Sequence, residues 1–251
     1  MSEEPEKLSE GTLISHLLEL RSRLIRALAA VGLFFIPCAY YSNQIFTFIA
    51  KPLLDKLPKG GTLIATGVMT PFKLSFFVAL FIAMPYVLYQ VWAFVGPGLY
   101  RREKRFAVPL MVSSIVLFYA GVIFAYVVVF PMIFAFFTST TPQGVSMMTD
   151  ITSYMDFALT MFLAFGVAFE VPVAVVLLVL TGIVKLEKLK ANRGYVLIAI
   201  FIIAAILTPP DALSQCVMAV PMYLLYEGGV LMAQIMQRMQ RTAAERDAAK
   251  V

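Results

Sequence analysis

The sequence predicts an all-α integral membrane protein with six transmembrane helices. Of its 251 residues, 61% are hydrophobic and only 14% are charged, and the mean hydropathy is +0.86. Soluble domains are roughly half apolar and about a quarter charged. Because one spanning helix uses about 20 apolar residues, little of the chain is left for structure outside the bilayer. The composition therefore excludes a large soluble enzyme domain and a DNA-binding domain.

Uncharged runs separated by charged or turn-forming residues mark the spans. The third span ends where Pro131 and the polar residues of 139–144 interrupt the helix pattern. The last two uncharged runs have only 17 and 15 residues, so their helices reach only about 22 to 26 Å across roughly 30 Å of hydrocarbon. Within a single membrane domain, residues 1–251, the predicted spans are about 24–42, 72–94, 107–130, 157–181, 194–209 and 212–228.

A cytoplasmic amphipathic helix, residues 1–23, is predicted to run into the first span, and a polar tail, 233–251, follows the last. Leucines recur on one side of the first helix at steps of three and four residues: Leu13, Leu17, Leu20 and Leu24. Glu19 and Arg23 stand one turn apart on the other side, where an ion pair is worth a few tenths of a kcal/mol. The pattern alone leaves open whether Glu19 only pairs with Arg23 or receives an incoming cation.

The basic residues predict that both termini are cytoplasmic. With six spans, 16 of the 20 lysines and arginines lie on the same side as the termini, which the positive-inside rule assigns to the cytoplasm. This topology explains the net charge of +5 without a nucleic-acid partner. Pro37, Pro85 and Pro221 fall inside spans, so several helices are expected to be bent and to form a concave wall.

The sequence lacks the residues that several kinds of catalytic and binding site require. His16 is the only histidine, which argues against a Ser/His/Asp hydrolase and a multi-histidine metal site. No phosphate-binding loop follows Gly60 and Gly61. We therefore expect no enzyme activity, catalytic residues, cofactor or metal. No cleavable signal peptide is expected either. Cys38 and Cys216 are expected to be small buried residues, and whether they pair stays open.

A few polar residues need an explanation. Glu103 is an isolated acid among four bases in the second-to-third loop, where charge balance and ligand binding are equally good explanations. Glu170 lies mid-span, where an ionised carboxylate costs at least about 2.5 to 3.5 kcal/mol, so it is either functional or neutral and hydrogen-bonded between helices. Asp211 is a candidate N-cap after two prolines, and Gln215 lies one turn further on.

Four strings, in order along the chain, resemble the TatC family, the multispanning subunit of the bacterial twin-arginine protein translocase. They are HLLELRSRL at 16–24, YQVWAF at 89–94, FGVAFEVP at 165–172 and LTPPD at 207–211. The resemblance extends from about residue 15 to residue 229. It implies a receptor in the cytoplasmic (inner) membrane that binds twin-arginine signal peptides of folded precursor proteins and drives export with the proton-motive force. The implied partners are TatA-like and TatB-like single-span proteins, further copies in a hetero-oligomeric complex, and the lipid bilayer.

The resemblance also assigns roles to residues. It implies an intramembrane polar site for partner docking at Glu170 and functional positions on the outer face at Asp211 and Gln215. It implies signal-peptide binding by five residues: Glu19, Glu103, Arg21, Phe94 and Leu99.

Two other functions remain possible from the residues. One is a proton-coupled secondary transporter of a small solute that uses Glu170 as its relay, although the chain shows no internal repeat. The other is a structural scaffold for other membrane proteins, which would tolerate the loss of Glu19 and Glu103.

Overall fold

The computed structural model describes residues 4–47, 69–95, 104–133, 151–207 and 212–248, and all regular structure in these ranges is helical. The prediction of an all-α membrane protein is confirmed. A π-helical segment, Ala125–Val129, continues the third helix towards Ile133. The helices are α1 (Glu4–Tyr40), α2 (Thr70–Val95), α3 (Lys104–Phe124), α4 (Ile151–Ala168), α5 (Val171–Leu180), α6 (Leu186–Ala191), α7 (Arg193–Leu207) and α8 (Ala212–Ala248).

Five stretches are long and apolar enough to cross a membrane: Ile14–Tyr40, Thr70–Val95, Val108–Ile133, Met155–Leu180 and Gln215–Met239. Helix α7 is apolar but shorter, with 15 residues or about 22 Å. The last apolar stretch has 25 residues. This stretch is longer than the uncharged run of the sequence because it includes Glu227, whose carboxylate is paired with Arg193.

Two compact units divide the described helices. The first contains α1, α2 and the start of α4, and the second contains α3, the rest of α4 and α5 to α8. The predicted amphipathic helix and first span form one uninterrupted helix, α1. Both cysteines are free; Cys38 is buried, whereas Cys216 is exposed, so the expectation of burial is wrong for Cys216.

In the first unit, α1 packs along α2 through small and branched side chains. Ala27 and Val31 are buried one turn apart on α1, and Ala79 and Ala83 are buried one turn apart on α2. Small residues let membrane helices approach closely enough for van der Waals contact, which replaces the hydrophobic effect inside the bilayer. At the other end of α2, the Thr70 hydroxyl donates to Thr152 Oγ1 at 3.3 Å.

Glycines set the closest helix contacts in the second unit. A Cβ at Gly121 on α3 would collide with the backbone carbonyl of Phe165 on α4. A Cβ at Gly166 would lie 2.6 Å from Cε2 of Phe118. Gly121 therefore lets the α3 backbone approach that of α4, and Gly166 makes room for the Phe118 ring, shortly before the turn that leads to Glu170.

Helix α8 approaches α5 in the same way. A Cβ at Gly229 would lie 2.7 Å from Cα and 3.2 Å from the carbonyl oxygen of Pro172, whereas a Cβ at the neighbouring Gly228 would meet nothing within 4 Å. Gly229 thus fixes the distance between α8 and the start of α5.

Polar contacts hold α6 and α7 against α8. Arg193 Nη2 donates to Glu227 Oε2 at 2.7 Å, and the Tyr223 hydroxyl donates to the other carboxylate oxygen at 3.0 Å. The Tyr226 hydroxyl donates to the Leu189 carbonyl at 2.8 Å. Because these groups satisfy one another, α8 carries an acid within its long apolar stretch and α7 is fixed at its first residue.

The glycine contacts predict that alanine substitutions at Gly228 and Gly229 have different effects on stability. Gly229→Ala should lower the free energy of unfolding by about 1 to 3 kcal/mol, because the methyl group would overlap the backbone of Pro172. Gly228→Ala should leave it unchanged or raise it slightly, because the site is open and alanine favours a helix. Thermal denaturation of the purified variants in detergent measures both. Equal stability of the two variants would show that the α5–α8 approach is not limited by Gly229.

Candidate functional site

An ion pair lies on the α1 face that packs on α2. Glu19 Oε1 accepts from Arg23 Nη2 at 2.5 Å and from Nε at 3.0 Å. The predicted i, i+4 pair is thus present, and both side chains are partly exposed. Both hydrogen bonds go to Oε1, one of the two carboxylate oxygens. Glu19 therefore combines a neutralising partner with a partly exposed carboxylate that a further cation can reach.

The ring of His16 joins this region to the end of α2. It stacks on the ring of Phe94, with centroids 4.3 Å apart and planes 22° from parallel. His16 precedes Glu19 by three residues, so the two lie on neighbouring positions of one helix face. The stacking brings the aromatic end of α2 beside the carboxylate of α1.

One turn before Phe94, α2 carries a buried amide. Gln90 is 4% exposed, and its Oε1 has no hydrogen-bond partner among the described residues. A buried polar atom without a partner costs about 1 to 3 kcal/mol. Gln90 thus carries an unfavourable buried oxygen one turn from Phe94.

The second polar position is Glu170, at a break between α4 and α5. Its backbone N–H donates to the Val167 carbonyl at 3.0 Å, three residues back, which tightens the turn where α4 ends. Helix α5 then begins at Val171, with Pro172 in its first turn. The buried Ser114 hydroxyl lies within hydrogen-bonding reach of the carboxyl group. The other carboxyl oxygen, Oε1, has no partner among the described residues.

The chain matches a known family. A family model described as Sec-independent protein translocase protein (TatC) matches residues 15–221. The chain belongs to the TatC family.

Close TatC relatives cover nearly the whole chain. The TatC protein of Azotobacter chroococcum is 52% identical over 248 residues, covering 97% of both chains, and that of Escherichia coli K12 is 50% identical over 226 residues, covering 88% of both. A crystal structure of the twin arginine translocase receptor TatC is 34% identical and superposes with a TM-score of 0.78 over 88% of this chain and 98% of that one. A second, in the detergent DDM, has a TM-score of 0.79.

Family membership decides between the functions considered from the sequence. TatC proteins are components of a protein translocase and not enzymes, which confirms the expectation of a transport protein. The secondary-transporter alternative is not supported. With its apolar helices, this TatC protein is a multispanning protein of the bacterial inner membrane.

The structure brings together some of the predicted TatC site residues. Glu19 and Phe94 lie in one region of the first unit, joined through His16. Arg21 is exposed, but residues two apart on a helix do not face each other, so it does not share the Glu19 face. Gln215, on the first turn of α8, is half-buried. Three predicted residues, Glu103, Leu99 and Asp211, lie outside the described residues.

Sequence reasoning missed three residues of these sites. His16 was considered only as the lone histidine, Gln90 stood in a resembling string without a role, and Ser114 was one of several hydroxyls in an apolar span. The available signal was their polarity within apolar surroundings. The partners of His16 and Ser114 are far away in the chain, so only the fold identifies these contacts.

The stacked rings predict a graded effect at His16. His16→Ala should lower the melting temperature, because it removes an aromatic pair worth about 0.5 to 1.5 kcal/mol. His16→Phe should retain most of the stability, because it keeps a flat ring over Phe94. Thermal denaturation of both variants in detergent tests this order. If the phenylalanine variant is as unstable as the alanine variant, ring stacking does not hold the end of α2.

Proposed function

We propose that this protein is the receptor of a twin-arginine translocase and binds the paired arginines of signal peptides at its cytoplasmic face. The observation that carries the proposal is the Glu19 carboxylate, which pairs with Arg23 through Oε1 and lies one turn along α1 from His16, the residue that stacks on Phe94. The solved TatC structures carry the receptor name, which supports the same assignment.

Arginine chemistry suits this arrangement. The planar guanidinium offers a fork of donors that fits a carboxylate, whereas a lysine ammonium is a point charge. A hydrogen bond to a charged group contributes about 1.5 to 3 kcal/mol. Glu19 and Glu103 together would supply roughly 3 to 6 kcal/mol, short of the 8.2 kcal/mol of micromolar affinity. The remainder would come from the apolar segment of the peptide against Phe94, Leu99 and the bilayer, with Arg21 in the same region.

Orientation and energy source complete the proposal. Both termini lie in the cytoplasm, as the 16 of 20 basic residues on that side indicate. The folded precursor crosses the inner membrane with TatA-like and TatB-like single-span proteins, in an assembly with further copies of this chain. The proton-motive force drives the step.

Partner docking is assigned to Glu170. A carboxyl oxygen without a partner inside the bilayer favours a helix that brings a hydroxyl or amide donor. Glu170 is the N-cap of α5, and its side chain makes no capping hydrogen bond to the first turn of that helix. Asp211 and Gln215 are assigned to function at the outer face.

Neutralising the receptor carboxylate should reduce arginine recognition. Glu19→Gln should weaken binding of a twin-arginine signal peptide by about 10- to 100-fold, because a charge-assisted contact is lost. Binding of the twin-lysine peptide should change much less, so that the preference for arginine shrinks. Fluorescence titration of the reconstituted complex with its single-span partners measures both affinities.

Two comparisons make this test specific. Glu187→Gln, at an exposed acid on α6, is the matched control and should bind both peptides like the parent protein. Glu103→Gln should act like Glu19→Gln. The assignment of Glu19 fails if its variant keeps the full preference for the twin-arginine peptide.

The docking role predicts different results for two replacements of Glu170. Glu170→Leu should abolish crosslinking between a single-span partner and a cysteine placed at the exposed Val167, because no hydrogen-bonding group remains. Glu170→Gln should retain part of it, because the amide still accepts and donates. Thr181→Val is the control, since that hydroxyl donates within its own helix to the Leu177 carbonyl at 2.8 Å. Undiminished crosslinking in the leucine variant would rule out docking at this residue.

A further inference from the structure

Gln90 lies where a peptide bound at Phe94 would enter the bilayer. Phe94 is in the last turn of α2, and Gln90 is one turn, or about 6 Å, further into the apolar stretch. The two residues are four apart and therefore share a helix face. A ligand that contacts Phe94 and continues into the membrane along this face reaches Gln90 next.

The side-chain oxygen of Gln90 is the atom that lacks a hydrogen-bond partner. The side chain is 4% exposed, and its Oε1 has no hydrogen-bond partner in the ranges that the structure describes. Inside a bilayer, water does not compensate such a group, and each unsatisfied polar group costs several kcal/mol. If Gln90 only filled space, an apolar residue of similar size at this position would make the protein more stable. The position thus offers a hydrogen-bond acceptor that no described residue uses.

The proposed ligand has backbone N–H donors that lack a hydrogen-bond acceptor. Secretory signal peptides have a basic segment followed by an apolar segment. If the apolar segment is helical in the bilayer, its first four backbone N–H groups have no partner within the helix. These N–H groups come directly after the arginines that Glu19 would hold, and so at the depth of Gln90.

We propose that Gln90 is a further peptide-binding residue, whose side-chain oxygen accepts a hydrogen bond from a backbone N–H in the first turn of the peptide's apolar segment. This proposal rests on the proposed receptor function, but the contact involves a different part of the peptide. It recognises the backbone and the start of the helix, whereas Glu19 recognises the arginine side chains. Gln90 therefore contributes equally to binding of twin-arginine and twin-lysine peptides.

The test is a double-mutant cycle with the reconstituted complex. Gln90→Met removes the acceptor and keeps an unbranched side chain of similar size. Synthetic signal peptides carry a single backbone ester in place of an amide at each of the first four apolar positions, which removes one N–H at a time. The matched control is Gln44→Met, at an exposed glutamine of segment 41–47.

One ester should weaken binding to the parent protein by about three- to tenfold, the effect of one neutral hydrogen bond. Gln90→Met should weaken binding of the all-amide peptide by the same factor and bind the ester and amide peptides equally. Gln44→Met should behave like the parent protein. The melting temperature of Gln90→Met without peptide should be unchanged or higher, whereas a purely structural glutamine predicts a lower one.

Two results would overturn the proposal: parent-like binding of the amide peptide by Gln90→Met, or ester penalties that are the same in the parent and in Gln90→Met. Failure of the receptor function has a different signature. In that case, twin-arginine and twin-lysine peptides bind the parent protein equally, and Glu19→Gln changes neither.

Discussion

The absence of water from the bilayer interior is the constraint on which the rest of this structure depends. Every polar group at that depth must find its partner within the protein, or the fold loses several kcal/mol. Described polar side chains near the helix ends meet this requirement through contacts such as Arg193 with Glu227 and Tyr226 with the Leu189 carbonyl. Gln90 and Glu170 each retain an oxygen without a partner in the described structure. Those exceptions are the positions where a ligand or partner helix has the most to contribute.

Gln90 and Glu170 belong to different structural settings. Gln90 lies in a regular helix, and its burial comes from the packing of α2. Glu170 lies where the helix itself is interrupted, so its surroundings depend on the turn between α4 and α5 and on the glycine contacts that hold α3 and α8 close. One arrangement suits recognition of an entering peptide segment, and the other suits a helix that packs alongside from within the membrane.

Local patterns in the sequence predicted the features that depend on local physics. Uncharged runs predicted the apolar helices, and the spacing of Glu19 and Arg23 predicted their ion pair, because both depend on residues within a few turns. Contacts between distant residues could not be predicted in this way. The pairing of Arg193 with Glu227 joins residues 34 apart and lets α8 extend past the point where the uncharged run ends. The stacking of His16 on Phe94 likewise needs the approach of α1 to α2.

The ion pair between Glu19 and Arg23 would affect the rate of peptide exchange in the proposed receptor function. Arg23 is attached to the same helix, so it remains at a high effective concentration beside the carboxylate whatever the supply of peptide. In the proposed receptor function, an arriving arginine would share the carboxylate with Arg23, and its departure would leave the charge still paired. Such sharing would lower the affinity for the peptide and speed its release. A protein that must pass each precursor on to the transport step gains more from rapid turnover than from tight retention.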